Sequence, residues 1–293
     1  MAELGAAVLC DIACELGEGP TYDPLTNRLW WFDITGRKLL ERPFPDGPTK
    51  VHELPFMASA LAAIDPDRQL VVSEIGLHVR DTATGALSLL QPIEADDPAT
   101  RSNDSRVHPC GAFWIGTMAK DEGRAAGAIY WFFRGELRVL YPGISIPNSI
   151  CFSPDGGIAY FTDTPRGRLM RVDCDPATGL PLGEPSVFVD WRSGEGWLDG
   201  SVVDADGVLW NARWDGGAVD AWSPAGERLR TIAVPARQSS CPAFAGPEAG
   251  RMVVTSAWKG KDAAARAGDP HAGKTFLLDI PVRGRFEPLV VIA

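Results

Sequence analysis

The sequence predicts an all-β, six-bladed β-propeller with an axial metal site. Three observations carry that expectation. A turn-and-strand phrase recurs about every 40–50 residues. No helical period persists over more than about three turns. Four short carboxylate or amide signatures stand just ahead of the recurring turns. In a circular repeat, equivalent positions point toward one axis.

The phrase itself is a turn followed by an apolar strand. Tyr22-Asp23-Pro24-Leu25 leads into Leu29-Trp30-Trp31-Phe32-Asp33, and Ile64-Asp65-Pro66-Asp67 into Leu70-Val71-Val72. Ser153-Pro154-Asp155-Gly156-Gly157 leads into Ala159-Tyr160-Phe161-Thr162-Asp163, and Asp204-Ala205-Asp206-Gly207 into Val208-Leu209-Trp210. Two weaker copies complete the set: His108-Pro109-Cys110-Gly111 before Phe113-Trp114-Ile115-Gly116, and Gly246-Pro247-Glu248 before Met252-Val253-Val254-Thr255. Asp-Gly and Pro-Asp pairs between strand-like runs are hairpin turn chemistry. A pair of β-sandwiches also contains many short strands, but it gives no reason for six similar copies. The one helix-like stretch, 261–268 with Ala263-Ala264-Ala265, reads as a loop insert. Thr275-Phe276-Leu277-Leu278-Asp279-Ile280 and Pro288-Leu289-Val290-Val291-Ile292 are expected to close the ring together with Ala7-Val8-Leu9-Cys10-Asp11-Ile12. A propeller joins its ends or leaves an edge open to pairing.

At 293 residues, a single propeller domain over 1–293 is expected, since β-rings stay undivided at this length. A hydrophobic content of 45% is ample for a core. Most of the ten tryptophans fall in repeat strands and are expected to fill the wedges between blades. Trp197, beside Asp199, is the candidate for a pocket wall. The net charge of −10 argues against a nucleic-acid partner, because phosphate binding needs a basic face. Met1-Ala2-Glu3-Leu4 carries no basic leader, and no apolar run is long enough to span a bilayer, so a cytoplasmic protein without a membrane partner is expected. Six cysteines match neither a zinc ribbon nor a disulfide scaffold and read as buried thiols.

The signatures are Leu16-Gly17-Glu18-Gly19-Pro20, Arg101-Ser102-Asn103-Asp104, Pro147-Asn148-Ser149 and Leu198-Asp199-Gly200-Ser201. Taken singly, Asp-Gly is a turn and Asn before a strand is a cap. Taken together at matched places, Glu18, Asn103, Asn148 and Asp199 form a ring of oxygen donors. Such a hard set suits Ca²⁺, Mg²⁺ or Mn²⁺ and leaves Zn²⁺ and Fe²⁺ open. Gly143-Ile144-Ser145-Ile146-Pro147 lacks the second glycine of a nucleophile elbow. His108 lies close enough in sequence to Asn103 to reach the same face; the alternative is a strand or loop residue.

These residues carry a resemblance. Leu-Gly-Glu-Gly-Pro at 16–20, Arg-x-Asn-Asp at 101–104, Gly-Thr-Met at 116–118, Pro-Asn at 147–148, Ser-Pro-Asp-Gly at 153–156, Thr-Asp-Thr at 162–164 and Asp-Gly-Ser-Val-Val-Asp at 199–204 resemble the gluconolactonase family that includes regucalcin. The resemblance implies a six-bladed propeller with one divalent cation (Ca²⁺, Zn²⁺, Mn²⁺ or Fe²⁺) at its axis and hydrolysis of a sugar lactone to the aldonic acid. It implies Glu18, Asn148 and Asp199 as metal ligands, Asp199 also as the base that activates water, and Arg101, Asn103 and Asp121 as substrate contacts. It is consistent with a monomer or a weak homo-oligomer acting on a small molecule. Two alternatives keep the same ligands: a calcium-binding regulator without catalysis, and an aryl-ester or phosphotriester hydrolase, against which the polar Arg101 and Asp121 argue. A protein-binding propeller would not need axial carboxylates.

Overall fold

The computed structural model describes residues 5–293. Within them the chain forms six four-stranded antiparallel sheets, an all-β, six-bladed β-propeller. The chain gathers into two compact units, Met1–Leu54 with Ser193–Phe286, and Pro55–Arg192 with Glu287–Ala293.

The first unit holds three blades. Blade 1 runs Gly17–Asp23, Arg28–Asp33, Lys38–Pro43 and Lys50–Glu53. Blade 5 runs Trp197–Val203, Leu209–Trp214, Ala218–Trp222 and Arg228–Ala233. Blade 6 takes Gln238–Ala245, Arg251–Ala257 and Thr275–Leu278, and completes itself with the N-terminal strand Ala6–Cys10. The second unit holds blade 2 (Ala58–Ala63, Arg68–Ser73, Gly76–Asp81, Leu87–Pro92) and blade 3 (Thr100–Val107, Phe113–Ala119, Gly127–Phe133, Glu136–Ile144). Its last blade, blade 4, is Pro147–Phe152, Ile158–Asp163, Arg168–Asp173 and Ser186–Asp190.

Each blade grades from buried to exposed. Pro147–Phe152 is buried at every position, whereas Arg228–Ala233 buries Ile232 alone. The first strand is largely buried, so the polar groups it carries need hydrogen-bond partners. The fourth strand is an edge, and in Lys50–Glu53 and Arg228–Ala233 charged side chains blunt it against stray pairing. Between blades lie the cores. In the first unit Trp31, Leu29 and Leu40 pack with Val253 and Ala243, and Trp210 with Met252 and Phe276. In the second, Trp114 packs with Phe152 and Phe161. Each fully buried Leu or Phe contributes roughly 2–3 kcal/mol of burial. Trp31, Trp114 and Trp210 are the largest fully buried side chains, as the repeat pattern implies.

The turns follow the carboxylate chemistry of their sequence. Asp23 accepts hydrogen bonds from the Leu25 amide at 2.9 Å and the Thr26 hydroxyl at 2.6 Å. Asp204 accepts from the amides of Asp206 and Val208 and from the Trp210 indole, each at 2.9 Å, tying its turn to the core. The predicted insert is a short helix, Ala263–Ala267, whose N-cap Asp262 accepts from the Ala265 amide.

One expectation needs correction. Ala6–Cys10 does pair with Thr275–Leu278, but the final segment forms no strand. It caps the turns of blades 2 and 3 instead: the Val290 amide donates to the Ala63 carbonyl, Val291 donates to Gly111, and Val290 is buried beside Val107 and Phe113. His108 is a core residue. Its imidazole is fully buried, meets Phe152 edge-on, and bonds the Gly156 carbonyl at 2.8 Å and Cys110 Sγ at 3.0 Å. Burial holds its pKa below the usual histidine range. The six cysteines are free thiols, five of them buried, and burial pushes Cys14 well above its ordinary value.

Candidate active site

Every first strand carries one extra residue. The ladder register slips between Glu18 and Thr21, Ala58 and Ala60, Ser102 and Ser105, Asn148 and Cys151, Leu198 and Ser201, and Ser239 and Pro242. A β-bulge leaves its extra residue out of the ladder and re-aims side chains. The candidate residues sit at these bulges in two phases. Glu18 and Asn148 are the last paired residues before the slip. Asn103 and Asp199 come one residue later, inside it. In blades 2 and 6 the same places hold only Ala58, Ser59, Ser239 and Ser240. The bulges at Glu18 and Asn148 share a backbone feature. The following residues, Gly19 and Ser149, have φ of 57° and 58°. Glycine takes that conformation freely; for a fully buried serine it costs on the order of 1 kcal/mol and marks a fixed local geometry.

In the second unit the candidate side chains form a directed hydrogen-bond chain. The Arg101 guanidinium donates to Asn103 Oδ1 at 2.8 Å and to the Ser102 carbonyl at 2.9 Å. Asn103 Nδ2 donates to Asn148 Oδ1 and to the Pro147 carbonyl, both at 2.9 Å. Asn148 Nδ2 donates in turn to Thr164 Oγ1 at 2.9 Å. All three side chains are buried. Each bond polarises the next, so the chain concentrates negative character on the Asn148 oxygen. Next to it, Asp104 accepts from the Ile150 amide at 2.7 Å. Burial pushes its pKa up to about 6, although Arg106 pulls it down. Arg106 is itself paired with Glu287 at 3.0 Å. Asp121 lies apart from this chain, in an exposed turn after Phe113–Ala119, where it pairs with Arg124 at 3.3 Å.

In the first unit Glu18 Oε2 accepts from the Gly19 amide at 3.1 Å. Asp199 is 4% exposed. Its main-chain carbonyl is held by Asn211 Nδ2 at 2.9 Å, and the same amide reaches Ser201 Oγ at 3.0 Å. Gly200 permits this: a Cβ there would stand 2.5 Å from Cys241 Sγ. On the other side of the same blade 6 strand, Ser240 Oγ donates to the Gly17 carbonyl at 2.5 Å. The bulges bearing Glu18 and Asp199 thus flank one small-residue strand.

Sequence reasoning missed the groups that fix the entry to these strands. Asp33 accepts from the amides of Glu15 and Leu16 at 3.0 Å, ahead of Glu18. Asp163 accepts from the amides of Ser145 and Ile146 at 3.1 and 3.0 Å, ahead of Asn148. Glu74 does the same for Met57 at 3.0 Å. The available signal was a carboxylate closing or following the second strand of blades 1, 2 and 4, as in Phe32-Asp33 and Thr162-Asp163.

With this geometry in view, residues 16–258 match the family model for the SMP-30/Gluconolactonase/LRE-like region. The chain belongs to that family. The sequence resemblance to gluconolactonases and regucalcin is therefore correct. A Rhizobium meliloti (strain 1021) protein with the provisional name of sugar lactone lactonase is 55% identical over 280 residues, covering 96% of this chain and 95% of its own. The L-arabinolactonase of Azospirillum brasilense is 38% identical, covering 93% and 91%. A crystal structure of regucalcin from Agrobacterium tumefaciens, described as a calcium-binding protein, superposes with a TM-score of 0.96 at 50% identity over 99% of each chain.

The donor set fits a hard divalent cation. Two carboxylates and an amide oxygen offer oxygen only, and Asn148 Oδ1 retains a second lone pair after accepting from Asn103. Among the described residues no group of three or more His, Cys, Asp or Glu side chains clusters as a metal site.

Proposed function

We propose that this chain is a sugar lactonase, a hydrolase of the cyclic carboxylic ester of an aldonolactone, with a divalent cation (calcium, zinc, manganese or iron) held at the propeller axis by Glu18, Asn148 and Asp199. The observation that carries the reading is the set of buried polar groups at the bulges. Arg101, Asn103, Asn148 and Asp199 are all less than 8% exposed. Polar burial on that scale is costly unless a site needs it. The L-arabinolactonase relative supports a five-carbon lactone as substrate.

A bound cation supplies Lewis acidity, withdrawing electron density from the lactone carbonyl and acidifying water beside it. The protein's own groups do the rest. The Asp199 carboxylate takes a proton from the attacking water as its oxygen bonds to the carbonyl carbon. The ring C–O bond then breaks, and the proton held on Asp199 passes to the leaving alkoxide. The products are a carboxylic acid, which gives up its proton to solvent, and a free hydroxyl. Arg101, Asn103 and Asp121 bind the ring hydroxyls and hold the ester in register with Asp199.

The regucalcin relative favours one second reading, a calcium-binding protein without turnover. A panel of glucono-, xylono-, arabinono- and galactonolactones, tested with metal-stripped protein reconstituted ion by ion, separates the two. Turnover restored by metal supports the lactonase. Tight calcium binding with no turnover of any lactone supports the regulator.

A further inference from the structure

We propose that Asn211 is a positioning residue for Asp199: its buried side-chain amide clamps the β-bulge that carries the carboxylate and so sets where that carboxylate stands. The inference rests on the role given to Asp199 in the lactonase reading above.

The register of blade 5 locates the clamp. Leu198 pairs with Arg213 and Ser201 with Asn211, so Asp199 and Gly200 together face the single residue Ala212. A bulge interrupts the ladder, and buried carbonyls there still need donors. Asn211 supplies one. Its Nδ2 donates to the Asp199 carbonyl at 2.9 Å, to Ser201 Oγ at 3.0 Å and to the Gly200 carbonyl at 3.4 Å. One amide thus spans the slip, from the residue that bears the carboxylate to the point where the ladder resumes.

The same place in the other blades is apolar or aromatic. The second-strand residue at which the ladder resumes is Trp30 in blade 1, Val72 in blade 2 and Ile115 in blade 3. It is Tyr160 in blade 4 and Val254 in blade 6, and all five are buried. A bulge in this fold therefore does not itself require an amide at that position. Blade 5 puts a fully buried one there, and blade 5 is the blade that carries Asp199. Burying an amide in such a slot is costly unless its hydrogen bonds are made and used.

Blade 6 closes on the same bulge. A Cβ on Gly200 would stand 2.5 Å from Cys241 Sγ and 2.9 Å from Cys241 Cα. The backbone next to Asp199 is thus held by Asn211 in its own blade and by Cys241 in the next. Proton transfer rewards such fixing, because a misplacement on the order of 1 Å can cost about 100-fold in rate.

The test compares wild type with two variants. Asn211→Leu fills the slot with an apolar side chain, as Val72 and Ile115 do in their blades, but removes the donor. Asn211→Ser keeps a shorter donor. Each is assayed on aldonolactones at saturating cation, and each metal-stripped protein is titrated calorimetrically with calcium. Asn211→Leu should lower kcat roughly 10- to 100-fold with KM within about twofold. It should also weaken calcium binding by roughly 10-fold, because Asp199 is ligand as well as base in the reading above. Asn211→Ser should recover part of both losses. An amide with a purely structural role would lower the unfolding midpoint and leave kcat and calcium affinity of the folded protein at wild-type values. That result in Asn211→Leu overturns the clamp. If Asn211→Leu does not fold, wild-type kcat and calcium affinity in Asn211→Ser overturn it instead. A wild type that binds calcium but turns over no aldonolactone overturns the lactonase reading, and the calcium titration then upholds or overturns the clamp by itself.

Discussion

Asn103 donates its side-chain amide to the side-chain oxygen of Asn148 at 2.9 Å, joining the first strands of blades 3 and 4 through two residues from different bulges. The bond orients the Asn148 amide so that its oxygen is fixed and its nitrogen points to Thr164. In the proposed site Asn103 is therefore the outer support of Asn148.

Asn103→Ala should therefore weaken cation binding by roughly 10- to 100-fold, the usual effect of removing a ligand's hydrogen-bond partner. Calorimetric titration of metal-stripped protein checks this. Unchanged affinity would show that Asn148 is held without Asn103.

Asp199→Asn keeps an oxygen donor but removes the proton acceptor. Its kcat should fall by roughly 10²–10⁴ while a cation still binds. Wild-type turnover in a cation-loaded variant would transfer the base to another group.

Asp104 makes stability depend on pH. Its folded pKa, about 6, lies above the ordinary carboxylate value because burial disfavours the charge. Between roughly pH 4 and pH 6 the native state holds the extra proton, so stability falls as pH rises through that window. The loss is up to about 3 kcal/mol and is complete above pH 6. Asp104→Asn should be more stable than wild type at pH 7.5, with the difference vanishing near pH 4. Urea unfolding of both proteins at several pH values measures it.

Gly200→Ala should destabilise by roughly 1–3 kcal/mol, because the added methyl meets Cys241 on the adjacent strand. It should also lower kcat by displacing the Asp199 bulge. Thermal unfolding and a lactone assay read the two effects separately, and a neutral outcome in both would mean the bulge can relax.

Much of this was legible in the residues. Turn carboxylates such as Asp23 and Asp204 announce themselves through neighbouring Pro, Gly and apolar runs, so the six blades follow from local chemistry. Glu18, Asn148 and Asp199 stand out because a charge or amide interrupts a buried strand at a repeated distance from a turn. The two phases of the bulges were not legible, since a one-residue slip is a property of pairing between strands. The roles of Asp33 and Asp163 were hidden for a related reason: each bonds amides about 17 residues away in sequence. Pro288-Leu289-Val290-Val291-Ile292 has the composition of a strand. It lies instead against turns of the second unit, where backbone bonds to Ala63 and Gly111 take the place of a ladder.

Blade 6 draws its outermost strand, Ala6–Cys10, from the opposite end of the polypeptide to its neighbour Thr275–Leu278. Ala6–Cys10 must therefore wait for Thr275–Leu278, more than 260 residues later, before it finds its partner. Closing so long a loop is entropically slow, and until then the Thr275–Leu278 edge is an open template for other chains. Removal of Ala6–Cys10 should therefore favour aggregation over any early change in catalytic chemistry.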